Sequence, residues 1–360
     1  MRKPKKVTIS EIAKKAGTSV TAVSFVLNNK ADKKIKPEIQ KRILRIIDKH
    51  GYKPNIAAQG LARRKTLTVN LCILGSLTKY DYLTYHQHYD ALRGFSEELN
   101  NLGYVVKIVQ IPENLNSGEI EEQILKREKS DGAAFLMNWP SQLISSLVDQ
   151  FKKHRYPYVC MNIHFREAKI NCVYANDEQG MYKATSHLIK LGHKLVGIIG
   201  YASGGSMFEG YKKGLKDNGI DFTQELVGVD TSRKKMDPFK IGYFQVKKLL
   251  NASIPPTGIV CQDDITAFGV LYALAEHGIK VPEQIAVVGF GDDEYSKITI
   301  PKLTTVRKSG VDIGRESAKM LVGKISDSDF NKTPTQKVLE EELIIRESCG
   351  ASRLKKGITS

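Results

Sequence analysis

A chain of 360 residues, 41% hydrophobic and 26% charged, has the composition of a globular protein and the length of two or three domains. No apolar run reaches the ~18 residues a membrane span requires. The basic start Met1–Lys6 leads into Ser10-Glu11 rather than an apolar stretch, so it is not a secretory signal and a cytosolic protein is expected. The net charge of +16 is unevenly placed: residues 1–65 hold 18 Lys+Arg against 4 Asp+Glu, and the remainder holds 37 against 35. An excess confined to one end is the electrostatic footprint of a polyanion binder. The five cysteines, Cys72, Cys160, Cys172, Cys261 and Cys349, make no C-x-x-C pair and read as buried thiols rather than metal ligands or disulfides.

The basic segment is patterned as helices. Ile9, Ile12, Ala13 and Ala16 follow helical spacing, with Thr8 and Glu11 set as a capping box and Gly17 as a stop. Ser19 caps a second helix whose inner face is Ala22, Val23, Val26 and Leu27 and which ends at Asn28-Asn29. Ile39, Ile43, Ile46 and Ile47 mark a third, between Pro37 and Gly51. Three short helices with a glycine turn between the first two describe a helix-turn-helix unit. In that geometry the early residues of the second helix, Ser19, Val20, Thr21, Ser24 and Phe25, face the major groove. Val20 and Phe25 suit thymine methyls. Lys41, Arg42 and Arg45 on the third helix are expected to face solvent or phosphate.

The stretches Val7–Asn28 and Gly51–Ala62 resemble the head of the LacI/GalR family of bacterial repressors. The resemblance implies contacts to double-stranded operator DNA from Thr8, Ser19, Val20, Thr21, Ser24, Phe25, Asn28 and Tyr52. It also implies a hinge helix at Asn55–Arg63 that folds in the minor groove, with Asn55, Ala58, Leu61 and Arg63 at the DNA and Leu61 wedged into a base step. Ala57, Ala58 and Ala62 permit close helix approach, and Gly60 weakens helicity by about 1 kcal/mol, which suits a segment ordered on binding. Where the family often carries a guanine-reading arginine, this chain has Phe25, which has no donor, so a half-site without that guanine contact is expected.

From Leu67 onward short apolar runs alternate with amphipathic stretches. Thr68–Leu74, Val105–Ile111, Ala133–Met137, Tyr158–Met161, Leu195–Gly200, Gly258–Cys261 and Ile285–Gly289 read as buried strands, and Tyr89–Leu102, Gln179–Leu191 and Phe208–Asn218 as helices. The alternation predicts parallel sheets covered by helices. Ala184–His193, Gly210-Tyr211, Ile285–Phe290 and Ile300–Val306 resemble the type I periplasmic-binding-protein fold of the same family. The fold class is therefore an all-α helix-turn-helix head plus an α/β two-lobed effector domain. The expected divisions are 1–53 head, 54–66 hinge helix and linker, 67–351 effector-binding and dimerisation domain of interleaved lobes, and 352–360 flexible tail.

The resemblance implies three crossings between the lobes and a small-molecule effector in the cleft at the strand ends. Carried over residue by residue, the cleft contains Asn138, Trp139, Asn162, Asp263 and Asp264. Met207 stands where the family usually has an effector-gripping arginine and Gly291 where it tends to have an aspartate, with Asp292 or Asp293 as a substitute. Tyr80, in the run Lys79–Tyr89, is expected to line the cleft, and no metal is assigned to His86 and His88. Neither a phosphate-binding loop nor a G-x-S-x-G elbow is present. These features imply a DNA-binding regulator rather than an enzyme or a solute receptor. It is expected to act as a homodimer on a pseudo-palindromic site, without cofactor or membrane. The expected effector is a sugar or sugar derivative, with a nucleoside, phosphorylated metabolite or protein partner as the alternative.

Overall fold

The computed structural model describes residues 7–27, 35–52, 65–75, 86–136, 139–163, 169–200, 205–229, 237–326 and 334–351, with His86 and Gln87 described by their backbone alone. The chain divides into two units, Met1–Leu67 and Thr68–Ser360.

The first unit holds α1 (Ile9–Lys15), α2 (Val20–Leu27) and α3 (Pro37–Lys49). The capping box is formed in full: Glu11 N donates to Thr8 Oγ1 at 3.3 Å and Thr8 N donates to Glu11 Oε2 at 2.8 Å. Gly17 and Gly51 both adopt a φ of +57°, the left-handed conformation that ends a helix at little cost only for glycine. Ser19 Oγ accepts from Ala22 N at 3.1 Å and starts α2. Ile12, Ala13, Ala16, Ala22, Val23, Val26 and Ile43 make one core, with Ile39, Ile46, Ile47 and Tyr52 packed around it.

The second unit is built on two six-stranded sheets. The first contains β1 (Thr68–Leu74), β2 (Val105–Ile111), β3 (Gly132–Leu136), β4 (Tyr158–Met161), β5 (Cys172–Ala175) and β11 (Gln336–Leu339), in the order β11-β5-β4-β3-β1-β2. The second contains β6 (Val196–Gly200), β7 (Val227–Val229), β8 (Gly258–Cys261), β9 (Ala286–Gly291), β10 (Thr304–Arg307) and β12 (Glu342–Ile344), in the order β12-β10-β9-β8-β6-β7. All neighbours pair in parallel except β10 and β12. The exception has a simple cause. β11 ends at the carboxyl edge of the first sheet, and only Glu340 and Glu341 lead on to β12, so the chain enters the second sheet from its carboxyl edge and runs against β10.

Helices α4 (His86–Asn101), α5 (Ser117–Glu122), α6 (Ser141–Lys153) and α11 (Gly310–Ser326) belong to the first lobe. The backbones of α4 and α11 nearly touch, since a β-carbon on Gly94 would overlap Val311 O and one on Gly314 would overlap Ala91 O. In the second lobe, α7 (Asp177–Lys190) and α8 (Ser206–Asp217) cover one face of the sheet, and α9 (Pro238–Leu250) and α10 (Asp264–Glu276) cover the other. The alternation along β6 shows the division: Val196 and Ile198 join the core of Leu188 and Tyr211, and Ile199 joins that of Val246 and Leu274.

Among the described residues the chain passes between the sheets at three places: Asn176 between β5 and α7, Lys308-Ser309 between β10 and α11, and Glu340-Glu341 between β11 and β12. In each sheet the strand order reverses once about the first strand, β1 in one and β6 in the other. The crevice at the carboxyl ends of those strands is where open α/β sheets take ligands. No described helix is long and apolar enough to cross a membrane, and all five cysteines are buried thiols.

Candidate DNA-binding head and effector cleft

On α2 the buried side is Ala22, Val23 and Val26, which turns the start of the helix outward. Val20 is 43% exposed, Thr21 is exposed, and Ser24 and Phe25 are half-buried. Thr8 and Ser19 spend a hydroxyl lone pair on capping. Each keeps an O–H that can donate outward, the polarity a phosphate oxygen requires. Tyr52 is half-buried against the head core, its N–H donates to Ile47 O at 3.0 Å, and burial pushes its phenol pKa up. Asn28, Asn55, Ala58, Leu61 and Arg63 lie outside the described residues, and with them the hinge segment.

At the crevice of the second unit, Tyr80 and Asn138 lie outside the described residues. Trp139 is buried, with its ring edge-on to Phe135 at 5.0 Å, and Phe135 in turn stacks on Phe151. The indole therefore fills the interior of the first lobe. Its Nε1 has no hydrogen-bond partner among the described residues. Asn162 follows β4 at a φ of +52° and ties that strand to β5, with its N–H donating to Val173 O at 2.8 Å and its Oδ1 accepting from Ala175 N at 3.3 Å. Met207 is half-buried and packs on the core beneath α7 and α8.

Asp263 and Asp264 follow β8 and are both buried. Asp263 is the N-cap of α10, taking Thr266 N at 2.7 Å and Thr266 Oγ1 at 3.0 Å. Asp264 takes Thr305 Oγ1 at 2.6 Å and Asp293 N at 2.7 Å. Burial, the dominant cause, raises the first carboxyl to about 6 and the second to about 7, against the bonds that favour the charged forms. Both side chains are thus engaged inside their own lobe. Asp292 and Asp293 are engaged as well. Asp293 caps the short turn Glu294–Lys297 through Tyr295 N at 2.9 Å. Asp292 accepts from Arg307 Nε at 2.7 Å and from Arg346 Nη2. Burial opposes its charge, but the bonds from Arg346 and Arg307 outweigh that and hold the carboxyl below its ordinary value.

Three ionisable residues at the lobe crossings, the buried Lys308 and Glu341 and the half-buried Asp177, carry no signal of function in the sequence. Glu341 sits in the run Glu340–Glu342, which reads as a solvated acidic stretch.

Residues 8–55 match the family model described as bacterial regulatory proteins, lacI family, and residues 185–349 match a periplasmic binding protein-like domain. The chain belongs to the lacI family of bacterial regulatory proteins. Its relatives include the HTH-type transcriptional regulator RegA of Clostridium saccharobutylicum, 27% identical over 95% of this chain and 98% of that one. The probable HTH-type transcriptional repressor ExuR of Bacillus subtilis (strain 168) is 29% identical over the same shares. The fold is similar to that of a chain in the structure of the Lac repressor dimer bound to operator and the anti-inducer ONPF, with a TM-score of 0.67 at 22% identity over 96% of this chain and 99% of that one. LacI-family members are transcriptional regulators, and this chain is a DNA-binding one built on the family's plan.

Proposed function

We propose that this lacI-family member is an effector-responsive repressor acting in the cytoplasm as a homodimer on a pseudo-palindromic operator. The observation that carries the reading is the capped α2, whose apolar side builds the head core and whose opposite side presents Val20 and Thr21. It lies in a segment that holds nearly all of the chain's excess positive charge. The working division is a head over 1–53, a hinge over 54–66 that orders on DNA, an effector and dimerisation domain over 67–351, and a tail over 352–360. Thr8, Ser19, Val20, Thr21, Ser24, Phe25, Asn28 and Tyr52 serve the major groove and phosphates, and Asn55, Ala58, Leu61 and Arg63 the minor groove. Two-fold symmetry in the protein is mirrored in the site. The exposed Tyr295, Ile298 and Ile300 support self-association, because apolar side chains this open to water favour a covered face. No catalytic role is assigned to any residue.

The effector occupies the crevice where the strand orders reverse, among Tyr80, Asn138, Trp139, Asn162, Met207, Asp263 and Asp264. A sugar or sugar derivative is the first reading. A second has a specific observation behind it: Asp264, Asp292 and Asp293 are committed to bonds within the lobe, and Met207 offers no fork for a hydroxyl pair. That favours an effector gripped by other means, such as a nucleoside or a phosphorylated metabolite. Selection from a random DNA pool with the full chain tests the first half of the proposal, and recovery of no two-fold-symmetric site would overturn it. A thermal-shift screen of sugars, sugar phosphates and nucleosides decides between the effector classes.

A further inference from the structure

Each of the three passages between the sheets carries or adjoins an ionisable side chain, and the three meet. Asp177 opens α7 directly after the first passage, Lys308 lies in the second, and Glu341 lies in the third. Lys308 Nζ donates to Asp177 Oδ1 at 2.6 Å, with the lysine side chain 4% exposed and the aspartate 25%. Glu341 is 3% exposed, and neither of its carboxyl oxygens has a donor among the described residues. It is closely confined: a β-carbon on Gly180 of α7 would overlap Oε2, and the Phe290 ring of β9 borders the same gap.

The charges that bear on Glu341 are few. From α7 they are Asp177 and Lys183, and from the end of β10 Lys308; β9 contributes only the Phe290 ring. Lys183 Nζ donates to the Glu341 main-chain oxygen at 2.7 Å and stands 3.6 Å from Glu340 Oε2. On the flanks, Glu342 and Asp292 both take Arg307. Lys308, whose charge bears more on the Glu341 carboxyl than that of Lys183, is already claimed by Asp177. An ionised carboxylate without a donor in such a place is strongly disfavoured. A neutral carboxyl has an outlet for its proton, because the Asp177 carboxylate is an acceptor on the facing element. Burial first, and then the negative charge of Asp177, hold the proton on Glu341 up to about 9, with Lys308 and Lys183 opposing.

We propose that Asp177, Lys308 and Glu341 form a proton-dependent latch on the lobe hinge, in which a protonated Glu341 pins the three crossings together and its ionisation releases them. The reading rests on the hinge alone and not on the identity of effector or operator. In a released hinge Glu341 is solvated and loses its proton at an ordinary carboxylate value of 4.5. The released form binds fewer protons throughout the interval up to about 9, so opening is favoured by about tenfold per pH unit across it and levels off above.

The test is amide hydrogen exchange on the full chain without DNA or ligand, corrected for intrinsic rates, between pH 6 and 10. It is read at Cys172–Asp177, Thr304–Ser309 and Gln336–Ile344. In the wild type, protection at these segments falls by about tenfold per unit to near pH 9 and then flattens, and at each pH it is lower than at the centres of β1 and β6, which open only when the whole domain unfolds. Glu341→Gln, which imitates the neutral acid, is flat over the range. Loss near pH 9 of a protonated-carboxyl infrared band that is missing from Glu341→Gln would identify the group, since Asp263 and Asp264 lose their protons nearer 6 and 7. A flat wild-type profile, a slope retained in Glu341→Gln, or crossing segments as strongly protected as β1 and β6 would each overturn the latch. None of these outcomes bears on whether the head binds DNA.

Discussion

Thr305 Oγ1 donates to Asp264 Oδ1 at 2.6 Å, which ties the edge of β10 to the first turn of α10 beneath the crevice. Because Asp293 N fills the other oxygen, Asp264→Ala leaves two buried donors without an acceptor. We expect a loss of about 2–4 kcal/mol in stability by urea unfolding, the sum of two unmade buried bonds.

Asp264→Asn should behave differently. Its amide oxygen accepts from Asp293 N, and its NH2 donates to a rotated Thr305 hydroxyl. The wild-type carboxyl is raised by burial from 3.8 to about 7. The unfolded chain therefore releases this proton first, and stability present below pH 4 is lost as pH rises towards 7. The melting temperature of Asp264→Asn relative to wild type should climb across that interval. A constant difference would contradict the assignment.

Ser19→Ala removes the cap of α2 and should cost the head about 1 kcal/mol. Ser19→Asp keeps an acceptor for Ala22 N but has no proton to donate and adds negative charge. The head should stay as stable by thermal melting while DNA affinity falls in gel-shift titrations. Retained affinity in Ser19→Asp would remove Ser19 from the phosphate contacts.

Val20 is 43% exposed and lies outside the head core. Val20→Ala should therefore change stability by less than about 0.5 kcal/mol and still alter the base preferences recovered by site selection. Phe25→Ala should shift preference and also lower stability, since its ring is half-buried. An unchanged selected site in both variants would end the case for α2 as the reader.

Gly180→Ala drives a methyl into Glu341 Oε2. Overpacking of this kind costs about 1–3 kcal/mol. The double variant Gly180→Ala with Glu341→Ala should recover most of the loss, which a two-variant cycle of chemical unfolding measures.

Much of this fold is written in local chemistry. Thr8, Glu11 and Gly17 specify both ends of α1 within ten residues, and the hydrogen bonds appear as the spacing implies. β1, β2, β4 and β8 are continuous or alternating apolar runs, and their bounds follow the sequence pattern. The strands that were not foreseen are short and sit mostly at sheet edges. Gln336–Leu339 carries two polar residues, is mostly exposed, and exists because β5 offers it a ladder. The crevice was harder still. Trp139 next to a polar neighbour suggests a stacking plate, and no local pattern shows that its ring also packs edge-on against Phe135. Asp263 and Asp264 read as ligand acceptors, and their hydrogen-bond donors come partly from Thr305 and Asp293, far along the chain. No local pattern indicates that three residues as distant as Asp177, Lys308 and Glu341 converge.

The pair β11 and β12 has a bearing on how the protein is made. One closes the edge of the first sheet beside β5, and the other closes the edge of the second beside β10. Both emerge from the ribosome within a dozen residues of each other, after nearly all of the remaining chain. Until then each nascent lobe carries an unpaired strand edge, the feature most open to mispairing between chains. Ser348, which takes Thr304 N at 2.8 Å and donates to Val287 O at 2.6 Å, fastens the segment just behind them. A chain truncated after Ser326 would leave both edges bare at once, so prematurely terminated products should aggregate or be degraded rather than persist as half-folded competitors for DNA.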